Sequence, residues 1–185
     1  ESDRLSLILS EFMVFSRVRA TSSEPVDLYA VATAAVRLVR EHPDCRHAAA
    51  IRIEGEPTVM DGDEDLLHRT IANLVLNAVQ AARGPVGIGV SIHAVTEPDL
   101  PPGSGIERGV RLVIRDNGPG IPEEIREHLF EPFVSARPGG SGLGLAIVQR
   151  AVEAHGGLVL VESARGTGTS FTIFLPATRV AEDVA

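Results

Sequence analysis

The sequence has no lysine and only one cysteine, and it has no long apolar run. All 17 cationic residues are arginine, which excludes both the P-loop lysine and the strand lysine of protein kinases. Cys45 alone can form neither a disulfide framework nor a thiolate metal site, and this usage suits a reducing compartment such as the cytoplasm. No stretch approaches the length of a membrane span and no signal-peptide pattern is present, so we expect the chain to be soluble.

Charge and size restrict the function further. The 25 acidic residues outnumber the cationic ones and give a formal net charge of -8. Because the arginines are not clustered, a nucleic-acid-binding surface is disfavoured. An apolar content of 44% over 185 residues is enough for one sizeable core.

The first twenty residues have the pattern of an amphipathic helix. Apolar residues recur at steps of three and four, and they are Leu5, Ile8, Leu9, Phe12 and Phe15. This helix either packs on its own domain or is the second half of a helical hairpin, and we favour the hairpin because residues 20–25 break the pattern as a linker would. The pattern is already under way at Glu1, which is not an initiator Met, so we expect a piece of a longer protein. We therefore divide the chain into a hairpin remnant (1–20), a linker (21–26), one domain (27–176) and a loose tail (177–185).

Within the domain, helix and strand patterns alternate irregularly. Asp27 and Asp63 are suitable N-caps for two long helices, 28–41 and 64–82. Further helices are predicted from Pro122 to Leu129 and from Leu145 to His155. Strands are predicted at 50–53, 58–60, 87–94, 110–115, 158–162 and 169–175. This order predicts an α+β fold, a two-layer sandwich in which helices cover one face of a mixed sheet.

Two glycine clusters, 116–120 and 140–145, stand out within one stretch. An apolar run leads into the first cluster, and a helical pattern follows the second. Glycines before a helix let backbone N–H groups approach an anion, where the helix dipole adds attraction. The segment between them, 130–137, lacks periodicity, so we interpret the stretch as a phosphate cradle with a flap. The second cluster does not fit the glycine pattern of dinucleotide-binding folds.

A pair of asparagines adds to this pattern. Asn73 and Asn77 lie four residues apart and so share one face of the predicted helix, where they either line a site or form a solvated stripe. With the turn Asp116 to Gly120, the run Gly140 to Leu145 and the later turn 166–169, they form four motifs in one order. In this combination the chain resembles the catalytic, ATP-binding domain of bacterial sensor histidine kinases. The wider superfamily also includes gyrase, heat-shock chaperones and mismatch-repair ATPases.

The resemblance covers about residues 27–176 and implies a Bergerat-type ATP-binding fold. The flap sequence 132–140 is most similar to that of nitrogen-regulatory sensor kinases. The resemblance implies that Asn77 is a Mg²⁺ ligand through its side-chain oxygen and that Asn73 faces the phosphates or their waters. It also implies that Asp116 accepts a hydrogen bond from the adenine amino group, with Gly118 and Gly120 letting the chain pass close to the base.

The same resemblance assigns the residues that contact the phosphates and those of the flap, which is the ATP lid of this family. Gly140, Gly142 and Gly144 match the phosphate-binding turn, with backbone donors from Leu143 and its neighbours. Thr169 matches a hydroxyl near the adenine. Phe130 and Phe133 match an aromatic box at the base of the lid, although an aromatic residue near a hinge is more often a packing residue than a ligand contact.

Two departures bear on mechanism. Hydrolytic members of the superfamily carry a glutamate one turn before the metal asparagine, where this chain has Asn73, and a neutral amide cannot activate water. We therefore expect slow hydrolysis of Mg·ATP. The family's basic residue three positions after the metal asparagine is Gln80 here, and Arg137 in the lid, in preference to Arg83, is expected to supply the positive charge.

The resemblance also implies partners. None of the six histidines is followed by an acidic residue, as the family's phosphoacceptor is, so we expect the acceptor helix upstream of Glu1. The expected function is transfer of the γ-phosphoryl group to that histidine, for relay to a response-regulator aspartate, in a homodimer joined through the N-terminal helix. A serine kinase of the anti-sigma type and a scaffold that binds no nucleotide are the alternatives.

Overall fold

The computed structural model describes residues 23–45, 49–82, 84–135 and 140–177, together with Leu9, Met13, Phe15, Ser16 and Val18. The predicted tail beyond residue 177, most of the predicted N-terminal helix, and both Arg83 and Arg137 lie outside these residues. None of the described helices is long and apolar enough to cross a membrane.

The predicted α+β sandwich is confirmed. Within the described ranges from residue 23 to residue 177, the strands are β1 (Glu24–Asp27), β2 (Ala49–Gly55), β3 (Val59–Gly62), β4 (Val86–Thr96), β5 (Arg108–Asp116), β6 (Leu158–Ala164) and β7 (Gly168–Pro176). The α-helices of the same ranges are α1 (Leu28–Glu41), α2 (Glu64–Ala81), α3 (Glu123–Arg126) and α4 (Gly144–Ala154). The main sheet has the order β2-β4-β5-β7-β6, with β2 parallel to β4 and the other pairs antiparallel, while β1 and β3 form a separate two-stranded sheet.

Both predicted N-caps are present. The Asp27 carboxylate accepts a hydrogen bond from the Tyr29 N–H at 3.0 Å, and the Asp63 carboxylate accepts one from the Leu66 N–H at 3.0 Å. Each bond satisfies a donor that has no partner within the helix, which explains why α1 and α2 begin where the sequence predicts.

The main core lies between the helices and one face of the sheet. On β7 the core-facing residues Phe171, Ile173 and Leu175 are buried, which follows from the two-residue period of a strand. Thr169 belongs to the same set and is its first member after the β6–β7 turn. Asp116 lies opposite Thr169 across the β5–β7 ladder, so both polar side chains sit at one end of the core-facing surface.

Two predicted boundaries differ from the structure. Residues 24–26 of the predicted linker belong to β1, because β3 supplies a pairing partner that only the tertiary fold brings near. Pro25 is tolerated there since this small sheet has only two edge strands. The predicted helix 122–129 ends at Arg126, because the chain continues in turns with the bonds His128 N–H to Ile125 O and Glu131 N–H to His128 O.

The described part of the N-terminal segment contacts the domain. The Arg150 guanidinium on α4 lies 3.9 Å from the centroid of the Phe15 ring and donates a hydrogen bond to the Phe15 carbonyl at 3.2 Å. This contact agrees with the interpretation in which the segment packs on its own domain. The division of the chain at residue 20 and the hairpin interpretation stay predictions.

Candidate nucleotide-binding site

Asp116 ends strand β5 in a buried position that is 8% exposed. Its carboxylate accepts hydrogen bonds from the backbone N–H groups of Gly118, at 2.8 Å, and Thr169. Burial raises the pKa of Asp116, and these two hydrogen bonds oppose that rise without cancelling it. The site therefore holds a carboxylate that has lost much of its water and still has lone pairs to offer to a ligand.

Glycines make the backbone around Asp116 unusually compact. A Cβ on Gly118 would lie 2.8 Å from the Asp116 carboxylate, and one on Gly120 would collide with the Ala164 carbonyl. Gly168, at a φ of 103°, leaves no room for a Cβ because the Asp116 carbonyl occupies that space. At Gly120 and Gly168 the missing Cβ therefore lets the chain around Asp116 pack against the end of β6 and the start of β7, and at Gly118 it lets the backbone pass the Asp116 carboxylate.

The role of Asn117 was missed by the sequence analysis, although the residue is part of a recognised motif. Its side-chain oxygen accepts the Gly87 N–H at 2.8 Å, and its own N–H donates to the Gly87 carbonyl at 3.2 Å. These two bonds fasten the residue after Asp116 to the beginning of β4. Only the pairing of β4 with β5 reveals this contact, because the two residues are thirty positions apart.

Asn73 and Asn77 are half-buried on helix α2, one turn apart. The Nδ2 atom of Asn77 would lie 3.8 Å from a Cβ on Gly144, the first residue of α4. The structure thus brings the predicted metal ligand beside the predicted phosphate turn. Gln80, one turn further along, donates a hydrogen bond to Asp44 at 2.9 Å.

The glycine turn itself is shaped by close backbone contacts. Gly142 has a φ of 70°, and a Cβ there would collide with the backbone of Phe133. The Phe133 N–H donates to the Gly142 carbonyl at 3.0 Å. Leu143 anchors the turn, because its side chain is completely buried and its N–H donates to the Ser141 hydroxyl at 3.2 Å. Gly140 is exposed, and the next residues toward Phe133, 136–139 with Arg137, are outside the described part.

The two lid phenylalanines differ. Phe130 is half-buried and packs against the main core, which agrees with the packing explanation. Phe133 has a φ of 69° and is 61% exposed, so its ring has no comparable packing. A contact of Phe130 with a nucleotide stays a prediction.

A hydrogen bond connects helices α2 and α4 at the N-terminal end of α2, which is the end far from Asn77. The His155 Nε2 atom accepts the Asp63 N–H at 2.9 Å, and its Nδ1–H donates to the Ala151 carbonyl at 2.7 Å. His155 follows the last residue of α4 and Asp63 is the N-cap of α2, so the two helices run antiparallel with contacts at both ends. His155 therefore has a structural role at the point where the sequence predicts that the helix 145–155 ends.

The donor set at Asn77 suits Mg²⁺. This ion is commonly held by one or two protein oxygens together with phosphate oxygens and water. Among the described residues there is no group of three or more His, Cys, Asp and Glu side chains placed to hold a metal. The side-chain amide of Asn77, beside a glycine turn at a helix N-terminus, fits a Mg·phosphate unit.

Comparison with known proteins agrees with this geometry. Residues 62–179 match the family described as histidine kinase-, DNA gyrase B-, and HSP90-like ATPase. The chain is 32% identical over 99% of its length to the sensor histidine kinase ZraS of Escherichia coli. It is 34% identical over 95% of its length to the sensory histidine kinase/phosphatase NtrB of Rhodobacter capsulatus. The structure of full-length ShkA in complex with AMPPNP matches 95% of the chain with a TM-score of 0.75 and 27% identity.

These relatives are longer than the chain. It spans 38% of ZraS, 50% of NtrB and 36% of the ShkA chain. The match to NtrB agrees with the predicted similarity to nitrogen-regulatory sensor kinases.

Proposed function

The chain belongs to the histidine kinase-, DNA gyrase B-, and HSP90-like ATPase family, and we propose that it is the ATP-binding catalytic domain of a sensor histidine kinase. The observation that carries this proposal is the placement of Asn77 beside Gly144 at the start of α4, in the same fold as the buried acceptor Asp116. ZraS and NtrB are both named as histidine kinases, which favours this function over a serine kinase of the anti-sigma type.

In this proposal the two ends of the site bind different parts of ATP. Asp116 accepts a hydrogen bond from the 6-amino group of adenine, and guanine is disfavoured because it carries an oxygen there. The N-terminus of α4, with the glycine turn 140–144, receives the phosphates through backbone N–H groups and the helix dipole. Asn77 holds Mg²⁺, which when bound neutralises charge on the phosphate oxygens. The complex of ShkA with AMPPNP supports a nucleotide in this fold.

The acceptor of the phosphoryl group is a histidine rather than water. Asn73 stands where hydrolytic members of the superfamily have a glutamate, and an amide cannot remove a proton from water at neutral pH. The domain therefore positions the γ-phosphoryl group and leaves the nucleophile to another element. Arg137 is proposed to supply positive charge from the lid.

We propose that this histidine lies on a helix upstream of Glu1. His155 uses both ring nitrogens in the bonds to Asp63 and Ala151. The Nδ1 atom of His42 accepts the Asp44 N–H, and that of His128 is bonded to Glu131. In the full-length protein the phosphate would pass on to a response-regulator aspartate, and the N-terminal helix would form a homodimer. A cytoplasmic location is proposed because ATP is available there and Cys45 is a free buried thiol.

Binding is tested first by titration calorimetry of the chain with ATP and Mg²⁺. We expect one site, weakened when Asn77→Ala removes the metal ligand or when EDTA removes the metal. Val59→Ala, an exposed change on β3, serves as the control and should leave affinity unchanged. Absence of ATP binding by the folded wild-type protein would exclude the proposed function.

Phosphoryl transfer is tested with γ-labelled ATP on two proteins, this chain and the same chain with its natural upstream sequence. We expect acid-labile, base-stable label on the longer protein alone. Label on the 185-residue chain would contradict the upstream acceptor, and rapid release of inorganic phosphate would contradict the role of Asn73.

A further inference from the structure

Three polar residues form a row across the end of the sheet. Asp116 on β5 pairs with Thr169 on β7, and Thr169 pairs with Ser163 on β6. Directly paired residues of antiparallel strands point to the same face of a sheet. The row therefore lies on the core-facing surface, in line with the core residues of β7, and Ser163 is a member of it that the sequence analysis did not identify.

The Ser163 hydroxyl has three hydrogen-bond partners. Its oxygen lies 2.8 Å from the Ile121 nitrogen, 3.1 Å from the Gly168 carbonyl oxygen and 3.0 Å from the Thr169 hydroxyl oxygen. A serine hydroxyl has one proton to donate and two lone pairs that accept. The three partners therefore use its hydrogen-bonding capacity completely.

These partners determine which hydroxyl donates. The Gly168 carbonyl can only accept, so it takes the proton of Ser163. The Ile121 N–H can only donate, so it takes one of the two lone pairs. One lone pair of Ser163 is left for Thr169, and the Thr169 hydroxyl must donate its proton to it.

Thr169 consequently has only lone pairs to offer to a ligand. Its hydroxyl proton points to Ser163 and its backbone N–H is bonded to Asp116. The Asp116 carboxylate is itself an acceptor. The remaining lone pairs of the Thr169 hydroxyl and the Asp116 carboxylate therefore attract the N–H donors of a ligand and repel its carbonyl oxygens.

We propose that Ser163 is a positioning residue that determines base specificity, because it holds the Thr169 hydroxyl as an acceptor. The pocket then prefers purines with an amino group at position 6 and rejects purines with an oxygen there. This inference rests on the proposed function, since it takes ATP to bind beside Asp116. It adds a second determinant of specificity that does not touch the base itself.

The test compares the Kd values of Mg·ATP and Mg·ITP by calorimetry. The two nucleotides share ribose and triphosphate, whereas the base of ATP has an amino group at position 6 and an unprotonated N1 and that of ITP has an oxygen at position 6 and a proton on N1. In Ser163→Ala the Thr169 hydroxyl is free to rotate and donate to that oxygen. We expect the ratio of the ITP to the ATP dissociation constant to fall at least fivefold.

Two matched variants serve as controls. Ser163→Thr keeps the hydroxyl and should keep the ratio of the wild-type protein. Ser170→Ala removes a hydroxyl from the opposite face of β7 and should also leave the ratio unchanged. A fall caused only by general loosening of the strand end would also appear in Ser170→Ala, whereas the proposed fall appears in Ser163→Ala and is absent from Ser163→Thr.

The outcomes separate this inference from the function on which it rests. A folded Ser163→Ala protein with an unchanged ratio would overturn the role of Ser163, although ATP binding would still stand. If Ser163→Ala does not fold, Thr169→Val must lower the ratio, because it removes the acceptor and leaves Ser163 bonded to Ile121 and Gly168. A wild-type protein that binds neither nucleotide would overturn both proposals.

Discussion

The proposed base end of the site, around Asp116 and Thr169, and its proposed phosphate end, around Gly142, are built in different ways. At the base end, Asp116 and Thr169 are 8% and 7% exposed, and neighbouring strands hold them through ladder hydrogen bonds. At the phosphate end, the turn around Gly142 depends on one buried leucine, Leu143, and on contacts with the backbone of Phe133. A sheet edge determines position through many bonds at once, whereas a loop before a helix depends on a few.

This difference predicts which end tolerates change. The base end has its polar groups already bonded before any ligand arrives, so its specificity should come from the orientation of those bonds. The phosphate end presents backbone donors whose position depends on the turn and on helix α4. Substitutions at the base end should therefore change which nucleotide binds, and substitutions at the phosphate end should change how strongly the triphosphate contributes.

The largest effect on ATP affinity is expected from substitution of Asp116 at the base end. Asp116→Asn replaces an acceptor-only carboxylate by an amide that presents donors, so ATP affinity in calorimetry should fall at least tenfold, or about 1.4 kcal/mol. Asp61→Asn, an exposed change on β3, is the control. Unchanged affinity in Asp116→Asn would remove this residue from the site.

The same carboxylate predicts a dependence on pH. Because the pKa of Asp116 is raised in the folded protein, ionisation of its carboxyl lowers the free energy of unfolding at pH values above the folded pKa, and this loss disappears progressively as the pH falls from the folded pKa to the lower unfolded pKa. The thermal midpoint of ligand-free Asp116→Asn should therefore not be lower than that of the wild type at neutral pH. Adenosine affinity should fall as the pH drops through the raised pKa, and Asp116→Asn should lose this dependence. Adenosine is the suitable probe because it has no phosphate that titrates, and a pH-independent wild type would contradict the ionised acceptor.

An intermediate effect is expected at the phosphate end. Gly142→Ala places a Cβ against the Phe133 backbone at a positive φ, which costs about 1–2 kcal/mol in local backbone energy. We expect ATP affinity to fall about tenfold while adenosine affinity stays the same. Gly89→Ala, where a Cβ meets nothing within 4 Å, is the control. An equal loss for ATP and adenosine would show that the two ends are not separable.

The smallest effect on binding is expected from loss of the hydrogen bond between His155 and Asp63, which connects α4 to α2. His155→Asn cannot reach the Asp63 N–H, whereas the longer side chain in His155→Gln can still accept from it. We expect His155→Asn to lower stability by about 1–3 kcal/mol and ATP affinity about threefold, with adenosine affinity unchanged and with recovery in His155→Gln. His93→Gln, exposed on β4, is the control. Equal behaviour of the two His155 variants would exclude the Nε2 bond as the cause.

Local chemistry made much of the fold predictable. Asp27 and Asp63 cap their helices as predicted, because capping depends on residues within one turn. The core-facing set on β7 follows from the alternation of apolar residues. Strand β1 was not predicted, since its apolar content is low and its only partner, β3, is more than thirty residues away along the chain.

The candidate site divides in the same way. Asp116, Asn77 and the glycine turn carry motifs that the sequence shows directly, and the structure places Asn77 beside Gly144. Ser163 carries no motif, because a serine near the end of a strand is ordinary in any sequence. Its importance comes from its register with Thr169 and from three hydrogen bonds, two of them to Gly168 and Thr169 at the beginning of β7 and one to Ile121.

By itself the sequence determined most of the helices and strands, the two N-caps Asp27 and Asp63, the order of the motifs and the family. Those features depend on the chemistry of neighbouring residues, on periodicity and on residue types in a fixed order. Only the tertiary structure decided which hydroxyl donates to which, how Asn117 and His155 connect distant segments, and where β1 finds its partner. These contacts join residues that are far apart in the chain, and a register shift of one residue would turn Ser163 and Thr169 to the opposite face of the sheet.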